Sequence, residues 1–120
     1  MATRLSSAGR VDWTSQLRRG VVELCILRVL RPAPSYGYEI VTTLESLGPL
    51  ASNENTVYPL LRRLKAEAYL ETFTRESPSG PPRQYYRLTA SGREHLKALE
   101  KEWASMVDAV SHAGRPGADQ

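Results

Sequence analysis

A mainly α domain with one β-hairpin, followed by a long C-terminal helix, is the fold class this sequence predicts, on three observations. Residues 13–68 carry three apolar stripes at helical spacing. Two β-like stretches flank a turn-rich segment at 76–83. Residues 96–110 then repeat apolar side chains at steps of 3 and 4. At 120 residues and 41% hydrophobic content, the chain has the size of one domain with a modest core.

The first helix is expected over 13–30, where Leu17, Val21, Leu24, Cys25, Val29 and Leu30 share a face. Arg31-Pro32-Ala33-Pro34 ends it, because a proline disfavours helix in the residue before it. Residues 1–12 are left as a flexible arm. Ser35 is the expected N-cap of a second helix reaching about Leu47, with Ile40, Leu44 and Leu47 inward and Gly48-Pro49 as the stop. A third helix starts from Ser52, Asn53 or Asn55, with Val57, Leu60, Leu61, Leu64 and Ala68 on its inner side. Pro59 argues for that early start: in a helix interior it costs about 3 kcal/mol, and in the first turn or two much less. Asn55, Thr56, Tyr58 and Pro59 are thereby placed at the exposed N-terminal end. Strands at 70–75 and 84–88, with Phe73, Tyr85 and Tyr86, enclose "ESPSGPPR" at 76–83. Thr89-Ala90-Ser91-Gly92 leads into the last helix, and 114–120 forms a disordered tail. The expected plan is an arm at 1–12, a core domain at 13–90, a helix at 91–113 and a tail at 114–120.

Composition narrows the function. No apolar run approaches the roughly 18 residues of a membrane span, and the N-terminus lacks the apolar core of a signal peptide, so a cytoplasmic protein is expected. The single Cys25 reads as a small buried hydrophobe, and with two histidines, His95 and His112, no metal-ligand spacing is visible. No cofactor is implied. Net charge is only +3, but its placement is uneven: residues 55–66 hold three bases and no acid, while the final thirty residues lean acidic.

Three helices, a hairpin and a further helix are the order of a winged helix-turn-helix, in which the third helix enters the major groove and the hairpin lies along flanking backbone. On that plan Arg62, Arg63 and Lys65 neutralise phosphates or reach base edges. Thr56 and Tyr58 donate to phosphates beside the free N–H groups of the helix start. Pro59 lies flat against a sugar or a thymine methyl. Arg83 and Arg75 are the wing's contacts to the sugar-phosphate backbone. Taken singly, each arginine reads as a solvated surface residue; together on one outer face before a hairpin, they favour double-stranded DNA.

On the last helix, Leu96, Leu99, Trp103, Met106 and Val110 make the seam of a two-helix packing, whose natural partner is the same helix of a second copy. A homodimer sets two reading helices about 34 Å apart, suiting a palindromic operator.

The chain resembles the PadR family of bacterial transcriptional regulators, in its short subgroup with a single C-terminal dimerisation helix. The resemblance spans about 17–113 and rests on "LRRGVVELCIL" (17–27), "SYGYEI" (35–40), "TVYPLLRRLKAEAYL" (56–70) and "RQYYRLTASGREHL" (83–96). It implies a dimeric winged-helix protein, usually a repressor, that leaves its operator when a small molecule or another signal alters the dimer. Carried over by position, it implies DNA contacts at Tyr36, Thr56, Tyr58, Pro59, Arg62 and Arg83. It also implies a second reading of Trp103: either the ring anchors the dimer core, or it faces its twin and sandwiches a flat aromatic effector. Two departures stand out. Ala68 occupies a place where the family commonly has glycine, and the wing tip "SPSGPP" is richer in proline than the usual glycine-basic loop.

Two other function classes compete. An enzyme needs a nucleophile or acid–base pair in a cleft, and no His-carboxylate or Cys-His arrangement has that logic. A winged helix serving only protein–protein assembly is the alternative reading, favoured by the small net charge and by Glu54 and Glu67 bracketing the third helix. Salt dependence separates it from duplex binding.

Overall fold

A computed structural model describes residues 2–115. Helix α1 spans Ala2–Leu30, strand β1 Ser35–Tyr36, α2 Gly37–Glu45, α3 Glu54–Ala66, β2 Leu70–Arg75, β3 Arg83–Leu88 and α4 Ala90–His112, with one 3₁₀ turn at Gly48–Leu50 before α3. The chain is therefore mainly helical with a hairpin, as its periodicities require. One terminal boundary differs from expectation. The first helix begins at Ala2, so the backbone of the segment expected as a flexible arm continues α1. Of the expected disordered tail, residues 116–120 lie outside the described residues.

Ser35 does not cap α2. It pairs with Tyr86 in β1, and Tyr36 pairs with Tyr85, so two residues add an edge strand to the wing and give an antiparallel sheet of order β1-β3-β2. The cap position passes to Tyr36, which offers no side-chain bond, while the Ser35 hydroxyl donates to Glu39 Oε1 at 2.5 Å. A two-residue strand is too short to leave a period in sequence, which is why it was missed.

Asn53 caps α3, its side-chain oxygen accepting from Asn55 N at 3.0 Å. The ladder starts when Val57 N donates to the Asn53 carbonyl, so Pro59 lies two residues inside it and removes one rung, that to the Asn55 carbonyl. Asn55 is exposed, which leaves this carbonyl to water. The early start and the small loss at the proline are those its spacing suggested.

Ala68 is not on the inner stripe of α3. It follows the helix with φ +66°, in the left-handed region, and is exposed. The turn hands the chain to β2 while Tyr69 N returns to the Leu64 carbonyl at 3.0 Å. Thr89 caps helix α4: its Oγ1 accepts from Gly92 N at 3.0 Å and donates to the Ala68 carbonyl at 2.6 Å. Gly92 passes so close to the Tyr69 carbonyl oxygen that any Cβ there would collide with it.

The core is built where these elements meet. Ile26, Leu27 and Leu30 of α1, Ile40 and Leu44 of α2, and Val57, Leu61 and Leu64 of α3 are almost wholly buried, and Leu70, Tyr86, Leu88 and Leu96 close it from the sheet and α4. Leu96 therefore belongs to its own protomer's core at 3% exposure, which corrects its assignment to a dimer seam. Leu99 packs against the same cluster, and every residue from Lys101 through the end of α4 is exposed.

Candidate nucleic-acid interface

The outer face of α3 is set by the burial of its inner face. With Val57, Leu61 and Leu64 inside, Glu54, Asn55, Tyr58, Pro59 and Arg62 line a shallow groove along the other side, and Thr56 and Lys65 are exposed on the same helix. Arg62 and Lys65 form no ion pair among the described residues. Tyr58 is half-buried because its ring rests on Gly37, where a Cβ would lie 3.0 Å from Cε1. That glycine lets the second and third helices approach at the phenol.

A second shallow groove opens between α3 and the wing, lined by Tyr36, Gly37, Tyr38, Tyr58, Arg83, Gln84 and Tyr86. Arg83 holds its guanidinium 4.4 Å over the Tyr36 ring. Arg75 sits 4.6 Å over Tyr85, which itself stacks on Phe73 at 5.5 Å. The hairpin thus carries its cations on aromatic faces, fixing their direction without neutralising them. Arg87 differs: it lies 4.7 Å over Phe73 and is paired with Glu71 at 2.7 Å. Burial, with Tyr58 adding to it and Arg62 opposing it, pushes the Tyr86 phenol up.

Arg63 is corrected. Its guanidinium is held by two carboxylates, Glu23 Oε1 at 2.5 Å and Glu67 Oε1 at 2.8 Å, and so turns toward α1 instead of outward. Glu23 in turn receives His95 of α4 at 2.7 Å, and the His95 ring stacks on Tyr69 at 4.0 Å. Burial raises the Glu23 pKa, but hydrogen bonds from His95 and Arg63 outweigh it and hold the carboxyl below its ordinary value. Sequence reading missed this cluster because its members lie 40 and 72 residues apart. It also passed over Tyr38 and Gln84; the tyrosine was in view inside "SYGYEI", two residues from the chosen Tyr36.

Residues 26–98 match the model of the transcriptional regulator PadR-like family. The chain belongs to that family. A PadR family transcriptional regulator from Eggerthella lenta has a similar structure, with TM-score 0.83 and 32% identity over 95% of this chain and 99% of its own. A PadR-like transcriptional regulator from Bacillus cereus matches with TM-score 0.74 and 34% identity, covering 83% of this chain and 99% of that one. Bacillus subtilis PadR in complex with operator DNA matches with TM-score 0.60 and 27% identity, over 66% of this chain and 46% of its own. An uncharacterised protein of Lysinibacillus sphaericus is 31% identical over 98 residues, 80% of this chain and 90% of the relative. PadR-like proteins are transcriptional regulators and not enzymes.

On this PadR-like frame α4 divides in two. Its first half packs on the core, while Trp103, Met106, Val107 and Val110 are exposed at 41%, 63%, 45% and 72%. On α1, Trp13 and Leu17 are exposed as well. A run of large apolar side chains left open on a projecting helix is costly in water. Among the described residues no helix is long and apolar enough to cross a membrane.

Proposed function

We propose that the chain is a sequence-specific regulator, acting as a repressor, that binds a palindromic duplex operator in the cytoplasm as a homodimer. The observation that carries this reading is the pairing of charges around α3. Arg62 and Lys65 stay exposed without an ion pair among the described residues, while Arg63 is the arginine held by two carboxylates of its own chain. Asn55, Thr56, Tyr58 and Pro59 complete the reading end of the helix, and Tyr36 and Arg83 carry it across to the wing. The complex of Bacillus subtilis PadR with operator DNA supports the partner class.

The exposed seam of Trp103, Met106 and Val110, with Leu99 at its base, supports pairing of α4 with its twin. In that pairing Trp103 meets Trp103 of the second copy and offers two indole faces to a flat aromatic effector, whose arrival shifts the spacing of the reading helices. The deciding experiment recovers duplexes from a random pool with the full-length protein, with and without aromatic compounds, and measures affinity of the winner against salt. Binding through six or more phosphates weakens by roughly 10³-fold between 50 and 200 mM salt. Recovery of no common sequence, or salt-insensitive binding, rejects the reading.

A further inference from the structure

Glu23 is the only acid between residues 13 and 30, placed between the buried Val22 and Leu24. Its two oxygens are divided between two helices: Oε1 takes Arg63 of the recognition helix, and Oε2 takes His95 of α4. Both partners are oriented from their other side, Arg63 by Glu67 and His95 by the parallel Tyr69 ring, 3° from coplanar. Tyr69 is itself tied to α3 through Leu64 and to the start of α4 through its carbonyl, which accepts from Thr89 N at 3.1 Å. A second tie of α4 to α1 lies at Glu100, held by Arg28 at 2.9 Å and Arg31 at 2.7 Å, but that one does not touch α3.

We propose that Glu23 is a positioning residue for DNA recognition: its carboxylate couples the seat of α4 to the seat of α3, so that a shift of the dimer helix moves the reading helix. The role for DNA rests on the function proposed above; the mechanical coupling does not. The physical reason is the sharing of one rigid group. Helix α4 cannot pivot on α1 at His95 without drawing Glu23 Oε2 with it, and the same carboxylate plane fixes Oε1 against Arg63. Side-chain exposures of 20% for Glu23 and 21% for His95 keep water from substituting freely for either partner.

The test uses the full-length protein, wild type and the variants Glu23→Gln, His95→Ala, Glu100→Gln, Arg63→Ala, Arg62→Ala and the doubles of each arginine variant with His95→Ala, with amide hydrogen exchange and anisotropy on the recovered duplex. Exchange in the second half of α3 is expected to rise in His95→Ala, although His95 lies on another helix, and to stay at the wild-type rate in Glu100→Gln, which loosens α4 from α1 alone. In DNA binding, Glu23→Gln is expected to lose about 2- to 30-fold in affinity with the dimer intact. His95→Ala and Arg63→Ala are expected to be non-additive, the double losing no more than the worse single, whereas His95→Ala and Arg62→Ala multiply. Unchanged α3 exchange in His95→Ala, or a multiplicative His95/Arg63 pair, overturns the proposal. If no duplex is recovered with wild type, the DNA reading fails, and the exchange arm alone still decides the coupling.

Discussion

Replacing Ala68 by glycine is expected to make this protein more stable, against the usual direction of alanine-to-glycine changes. Ala68 has φ +66°, where its Cβ crowds the carbonyl, at about 1–2 kcal/mol for a non-glycine residue. Glycine removes that strain but adds freedom to the unfolded chain, worth about 0.4–1 kcal/mol in the opposite sense. The difference favours Ala68→Gly by about 0.5–1 kcal/mol. The turn itself is held in either case, since the Ala68 carbonyl accepts from the hydroxyls of Thr89 and Ser91 at 2.6 and 2.9 Å, and a backbone acceptor does not depend on the side chain. For a domain of this size the gain corresponds to a melting point higher by about 2–6 °C. The assay is thermal unfolding followed by circular dichroism at one fixed protein concentration, because the midpoint of any associating protein moves with concentration. Ala68→Val, β-branched at positive φ, is the control and is expected to melt lower than wild type. A glycine variant that melts at or below wild type would refute the reasoning, showing that the left-handed turn is not where strain is stored.

Arg62→Ala is expected to weaken operator binding by about 1–3 kcal/mol without dissociating the dimer, measured by anisotropy and sedimentation; unchanged affinity would remove the reading face from α3. Below the ordinary carboxyl value of 4.5 the fold should lose stability. Slight burial raises Glu100 while Arg28 and Arg31 lower it further, so Glu23 and Glu100 both have depressed folded values. Their contribution is full above 4.5 and disappears as pH falls through those folded values, so Glu23→Gln should flatten the acid limb of a denaturation-against-pH curve. Ending the chain after Lys101 should give a folded monomer, since Leu96 and Leu99 stay with their own core; a truncated chain that still sediments as a dimer would put the seam elsewhere. Trp103→Ala should abolish fluorescence quenching by flat aromatic compounds, and full quenching in that variant would leave Trp13 as the reporter.

What could be read in the sequence was whatever repeats along it. Burial stripes at 57, 61 and 64 and at 40 and 44 are local periodicities, so the helices and the outward side of α3 are legible in the sequence. The turn formers at 76–83 announced the hairpin for the same reason. Boundaries that depend on long-range pairing were not legible. Ser35 looks like a helix cap until Tyr86, fifty-one residues away in the chain, takes it into a sheet. Leu96 has the phase of a coiled-coil seam, and phase alone does not distinguish a partner's helix from the protomer's own core.

Arg63 shows the same limit at the site, with a consequence for specificity. By helix phase alone Arg62 and Arg63 have equal claim to DNA, since adjacent residues on a helix differ by 100° in direction and both leave the buried stripe. The tie is broken by Glu23 and Glu67, which draw Arg63 to the α1 side and leave Arg62 beside Tyr58 and Pro59. A cation that is bound internally cannot release a phosphate counterion, so the salt dependence of operator binding should change little in Arg63→Gln and fall by nearly one phosphate contact in Arg62→Gln. Measuring log affinity against log salt for those two variants assigns the arginines independently of affinity itself. Equal slopes lost by both would mean that Arg63 leaves its carboxylates on the duplex, and the division of labour between the two neighbours would have to be abandoned.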